Sequence, residues 1–119
     1  MIKLTLPYPP ALNNLYLTVM MKGRPVRVPS PRAKQFKKDV GKIATPIFRQ
    51  LILGDVGIVL RLYRPRRAGD LDGYFKAVFD ALTGIAWVDD SQITKIEAER
   101  FDDKTNPRVE IEIYTRSLL

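Results

Sequence analysis

The sequence predicts an α/β (α+β) fold in which a single mixed β-sheet carries two main helices. Three observations predict it. The order of local signals is strands, helix, strand, helix, strands, which suits helices laid on one sheet. The 119 residues, 45% of them hydrophobic, are enough for one modest core and argue against disorder. No repeat, low-complexity tract or linker divides the chain, so residues 1–119 are expected to form a single domain.

The elements follow in order. Ile2–Leu6 is a strand that runs into a Pro-rich turn. Asn13–Met21 is extended, and Arg24–Val28 alternates basic and apolar residues as its hairpin partner across Lys22-Gly23. Ser30-Pro31 opens a helix, because serine caps and proline suits the first helical position. That helix runs through Phe36, Val40 and Ile43 and stops near Pro46; its other face carries Arg32, Lys34, Lys37, Lys38 and Lys42. Val56–Tyr63 is a strand with Val56, Ile58, Leu60 and Leu62 on one face and a partly apolar second face, which predicts an interior position. From Asp72 onward, Phe75, Val78, Phe79 and Leu82 keep helical spacing, and Gly84 supplies the stop. Trp87, beside Ile85, Ala86 and Val88, is expected to pack rather than to stack on a base. Thr94–Phe101 and Arg108–Thr115 are expected to close the chain as a hairpin, with Glu110 and Glu112 on its solvent face.

Charge narrows the partners. Twenty Lys and Arg against thirteen Asp and Glu give +7, which favours a polyanion, nucleic acid first. No apolar run approaches the roughly 20 residues of a spanning helix, and the start Met1–Pro7 lacks a signal-peptide layout, so no membrane partner and a cytoplasmic location are expected. Absences narrow the chemistry. There is no Cys, hence no thiolate nucleophile, and no His, hence neither the commonest general base nor the commonest metal ligand. Hydrolysis would fall to carboxylates, Lys, a metal-bound water or a hydroxyl.

The run Arg64-Pro65-Arg66-Arg67-Ala68-Gly69-Asp70-Leu71-Asp72 sets cations against two carboxylates at a helix start, with Lys76 one turn further on. Such a pair alone is also ordinary capping chemistry. Trp87-Val88-Asp89-Asp90-Ser91-Gln92 adds a second acidic pair, which by itself suits a turn as well as a ligand. Three carboxylates brought together would suit Mg²⁺, a hard ion that keeps waters while it engages a phosphate.

On these residues the chain resembles the RusA-type Holliday junction resolvases, endonucleases that cut four-way DNA junctions. The resemblance rests on the basic tract, Asp70-Leu71-Asp72, Lys76, Phe79-Asp80-Ala81-Leu82-Thr83 and Trp87-Val88-Asp89-Asp90-Ser91-Gln92. An N-terminal echo runs from Leu6 to Asn13 and on to Tyr16. The family usually has Asn where Gly73 stands and Ser where Ala11 stands.

The resemblance implies a RusA-like fold and a homodimer acting on branched DNA in recombination and repair. It implies that Asp70, Asp72 and Asp90 hold Mg²⁺, with Mn²⁺ as the alternative ion, and that Lys76 meets the reacting phosphate. Arg64, Arg66 and Arg67 would hold the backbone beside the scissile bond, with further DNA contacts from Asn13, Tyr16, Arg24, Arg27, Lys34 and Lys38. Trp87 and the apolar end of the second helix are the expected dimer contacts. Two other readings are a non-catalytic nucleic-acid-binding protein of the same fold and a nuclease for flaps or other branched DNA.

Overall fold

The computed structural model describes residues 1–67 and 69–116; Ala68, inside the basic run, lies outside the described residues. Six strands and two α-helices form, in order, β1 (Ile2–Pro7), β2 (Tyr16–Met21), β3 (Arg24–Pro29), α1 (Pro31–Ala44), β4 (Val56–Arg64), α2 (Phe75–Leu82), β5 (Ile93–Asp102) and β6 (Arg108–Thr115). Short 3₁₀ turns occupy Leu12–Asn14, Leu71–Tyr74 and Asp90–Gln92. The fold is the expected mixed sheet with two helices, in strand order β1-β6-β4-β5. The hairpin β2–β3 stands outside it as a second, two-stranded sheet.

β4 sits inside the sheet, as its apolar face and partly apolar second face predict. It pairs antiparallel with β6 and parallel with β5. The expected closing hairpin is therefore corrected: β5 and β6 flank β4 and do not pair with each other. β4 buries Val56, Ile58, Leu60, Leu62 and Arg64 on one face and half-buries most of the other, as suits an interior strand, whereas β5 is exposed along most of its length and belongs at an edge. The Asp103–Pro107 connection arches over the end of β4, where Asp103 N–H donates to the Arg64 carbonyl at 2.8 Å.

Leu4 and Leu6 from β1, Val56, Ile58, Leu60 and Leu62 from β4, and Val109, Ile111 and Ile113 from β6 form the sheet side of the core. α1 adds Phe36, Val40 and Ala44, and α2 adds Ala77, Val78, Phe79, Ala81 and Leu82. α1 starts as its sequence dictates: Ser30 Oγ accepts from Ala33 N–H at 3.1 Å, and Pro31 takes the first helical position. Gly84 ends the α2 segment with φ of +88°, a backbone that favours glycine.

Trp87 is fully buried, its ring edge-on to Phe79 at 6.3 Å and its Nε1–H donating to Thr83 Oγ1 at 3.0 Å. Packing is as expected, but a side chain with no exposed surface belongs to the protomer's own core and offers nothing to a dimer partner. The opposite sheet face carries charge. Arg61 reaches Glu110 and Glu112 at 3.5 and 3.1 Å, and Arg108 pairs with Asp103 and Glu110, both at 2.9 Å. The β6 glutamates thus serve a cross-strand ion network rather than an idle solvent face.

Candidate functional site

Asp70 and Asp72 are placed by the 3₁₀ turn that links the basic loop to α2. Asp70 is its N-terminal flanking residue in extended conformation, with φ −94° and ψ 147°, and Asp72 lies in its first turn. Neither carboxylate has a hydrogen-bond or ion-pair partner among the described residues, although Arg66 and Arg67 stand a few positions away. This turn lies against β5, and Arg100 Nη1 donates to the Gly69 carbonyl at 2.8 Å, which ties the loop to the C-terminal half of that strand.

Asp90 occupies the other end of β5, in the 3₁₀ turn that precedes Ile93. The acidic pair there divides its work. Asp89 caps the turn, accepting from Ser91 N–H at 3.1 Å, and these hydrogen bonds hold its carboxyl below the usual 3.8. Asp90 makes no such bond among the described residues. Gln92 fixes the turn: its Oε1 accepts from Val88 and Asp89 N–H at 2.8 and 2.9 Å, and its Nε2 donates to the Ile52 and Gly54 carbonyls at 2.7 and 2.9 Å. Gln92 stands inside the motif quoted from the sequence, but its clamp role has no sequence signal beyond a glutamine three residues after a capping Asp.

The three predicted ligands do not meet within one chain. Among the described residues no three carboxylates are gathered closely enough to hold a metal ion. The separation follows from topology, because α2 runs back from the end of β4 to the start of β5. Residues 93 and 100 are about 23 Å apart along an extended strand at about 3.3 Å per residue.

Lys76 lies on the exposed flank of α2 and pairs with Asp80 one turn on, Nζ to Oδ2 at 3.1 Å. Its hydrogen bond to Asp80 raises the ammonium pKa above the usual 10.5; the Asp80 charge and the Tyr16 hydroxyl add to this against partial burial. Tyr16, at the base of the β2–β3 hairpin, also carries the Arg27 guanidinium 4.5 Å above its ring. The structure thus gathers Lys76, Tyr16 and Arg27.

The basic loop is less uniform than its sequence. Arg64 is almost buried and its Nε pairs closely with Asp102, a bond that lowers the Asp102 carboxyl from its usual 3.8. Arg66 is exposed, and Arg67 is 85% exposed with only a 4.0 Å approach to Asp102. Asn13 is exposed on the first 3₁₀ turn, Arg24 on the far end of the hairpin, and Lys34 and Lys38 on α1. Of the α1 cations, Lys34, Lys37, Lys38 and Lys42 have no ion pair among the described residues, since Asp39 accepts from Gln35 instead, at 2.8 Å.

Tyr8 and Tyr74 were not selected as a unit from sequence. Their rings lie 5.4 Å apart, and burial together with the bond to Tyr74 pushes the Tyr8 phenol well above its usual 10. Both line a cleft of about 240 Å³ with Arg32 and Arg66. The signal that could have found Arg32 is its place at the start of the basic α1 face.

Compared with protein families, residues 7–114 match endodeoxyribonuclease RusA. The chain belongs to the endodeoxyribonuclease RusA family. The match spans all six strands in part or whole and includes every candidate residue named above. No curated protein matches the chain. Among the described residues of this RusA-family chain Asp70, Asp72 and Asp90 are open, as are Asp55 and Glu99, while the neighbouring Asp89 and Asp102 are used structurally.

Proposed function

We propose that this RusA-family protein is a divalent-metal-dependent endonuclease that resolves four-way DNA junctions as a homodimer, in DNA recombination and repair. The observation that carries the reading is that Asp70, Asp72 and Asp90, inside the stretch matched to the endodeoxyribonuclease family, are all without a partner among the described residues, in a chain of charge +7. Carboxylates in a basic protein are readily paired, and these three, left without a partner, are available for a ligand that is itself cationic.

Because Asp90 lies far from the other two within one chain, the metal site is completed between protomers: Asp70 and Asp72 from one, Asp90 of the partner subunit. When bound, Mg²⁺ or Mn²⁺ would lower the pKa of a water and neutralise phosphoryl oxygens. This chain's own contribution is positioning and charge. Arg66 and Arg67 hold the phosphodiester backbone next to Asp70. Lys76 leaves Asp80 for a phosphate oxygen, an inexpensive exchange since an exposed i,i+4 pair is worth only about 0.3–0.5 kcal/mol. There it stabilises the charge that grows as water oxygen bonds to phosphorus and the opposite P–O bond breaks.

A dimer also gives the hairpin a purpose. Opposed residues share a face, so Leu17 and Val28 lie with Val19 and Val26 in one apolar stripe, with Leu17 49% exposed. An isolated two-stranded ribbon is marginal in water, and a second copy would cover this stripe.

The test is incubation with an end-labelled four-way junction, with Mg²⁺ or with EDTA, beside Asp70→Asn. Paired nicks that require both metal and Asp70 are expected. Tight junction binding without cleavage under any divalent metal would establish the non-catalytic binder instead, and preference for flaps would move the substrate assignment.

A further inference from the structure

A cavity of about 290 Å³ opens between the hairpin base, α1 and α2. Its walls include Leu15, Tyr16, Pro29 and Phe36, and its polar groups are Lys34 and Lys37 from α1 and Asp80 from α2. It lies apart from Asp70 and Asp72 along the chain, yet shares Tyr16 and Asp80 with the surroundings of Lys76.

We infer that this cavity receives one unpaired DNA base from the strand being cut. Three observations carry the choice of occupant. Lys34 and Lys37, at i,i+3 spacing, stand on one side of α1 without an ion pair among the described residues, which fits the phosphates flanking an extruded nucleotide. Tyr16 lines the cavity with an aromatic ring steadied by the Arg27 guanidinium at 4.5 Å, which is not itself a cavity wall, and aromatic rings stack on bases of any sequence. Asp80 uses Oδ2 on Lys76, so its carboxylate has acceptor capacity left for a base N–H on the pairing edge. The volume is at the small end of the roughly 300–1,000 Å³ typical of small-molecule sites, which suits a single heterocycle. Because Asp80 is also the resting partner of Lys76, a base bonded to its remaining acceptor capacity would sit next to that ammonium.

This inference rests on the branched-DNA reading, and the experiment separates the two. Junctions carrying one abasic site at each position around the crossover are titrated in EDTA, so that binding is read without cleavage. For the unaltered protein, one abasic position should weaken binding about tenfold. Ala33→Phe, which fills the cavity from its α1 wall, should weaken binding to the intact junction by a similar factor and show no further loss at that position. Tyr16→Leu serves as a second variant should Ala33→Phe fail to fold. The inference is overturned if no abasic position matters, if its effect persists in both variants, or if filling the cavity dissociates a dimer, which would make a second copy the occupant. Loss of metal-dependent nicking alone would strike the nuclease reading and leave the base pocket standing.

Discussion

Gln92 uses both ends of its amide, and few other side chains could replace it. Its oxygen takes two N–H groups from the strand-entry turn while its nitrogen holds two carbonyls from the segment before β4. Gln92→Glu keeps the acceptor but turns a carboxylate toward the Ile52 and Gly54 carbonyls. A loss of about 1–2 kcal/mol is expected from thermal or urea unfolding, in line with partners left unmade. Because the same clamp orients the turn that carries Asp90, junction cleavage should fall further than junction binding in this variant. Gly73, where the family usually has Asn, faces open space, so an added side chain there would meet no obstacle.

At the level of elements, β4 explains most of the sheet and β6 supplies a tight fit against it. The Tyr114 ring lies across its cross-strand partner Gly57, and any Cβ at that position would run into the ring. Gly57→Ala is expected to destabilise by about 1–3 kcal/mol through this overpacking, measured by denaturant unfolding. The double variant with Tyr114→Ala should recover part of that loss. The ion network on the same face sets the acid limit. Asp103, Glu110 and Glu112 all have carboxyls held below their usual 3.8 or 4.5, chiefly by bonds to Arg108 for the first two and to Arg61 for the third. Groups depressed in this direction stabilise the fold above the ordinary values, and that stability is lost as pH falls through the lower folded ones. Thermal stability is therefore expected to hold from neutrality to about pH 5 and to decline below about pH 4.5, with Arg61→Met weakening the dependence.

Much of this was legible in the residues. The Ser30-Pro31 start, the hairpin turn at Lys22-Gly23 and the interior position of β4 follow from local chemistry and from apolar patterning on two faces. The β5–β6 arrangement was not, because two strands joined by Asp103–Pro107 look like a hairpin until β4 is known to need a neighbour on each side. Asp70, Asp72 and Asp90 were legible as candidate ligands, but neither their lack of partners nor their separation was, the latter depending on α2 carrying the chain back along the sheet.

For the molecule as a whole, measuring 52 × 35 × 25 Å, that separation makes a sharp prediction about subunit exchange. Asp70→Asn and Asp90→Asn proteins, each inactive alone, should regain nicking when mixed and allowed to exchange subunits. A mixed dimer would hold one intact site and one with both acids lost, so single nicks should return at about a quarter of the normal level, since half the dimers are mixed. Paired cuts should stay absent. No recovery after verified exchange would place all three acids in one protomer and sink the shared site. The strand order has a consequence of another kind, concerning synthesis. β6 lies between β1 and β4, so the two halves of the sheet have no direct bond until residues 108–115 arrive. A chain still on the ribosome with β6 unmade carries two unpaired strand edges, the situation in which nascent proteins associate wrongly. Arrival of β6, rather than growth of the strands before it, is thus the event that lets this sheet close.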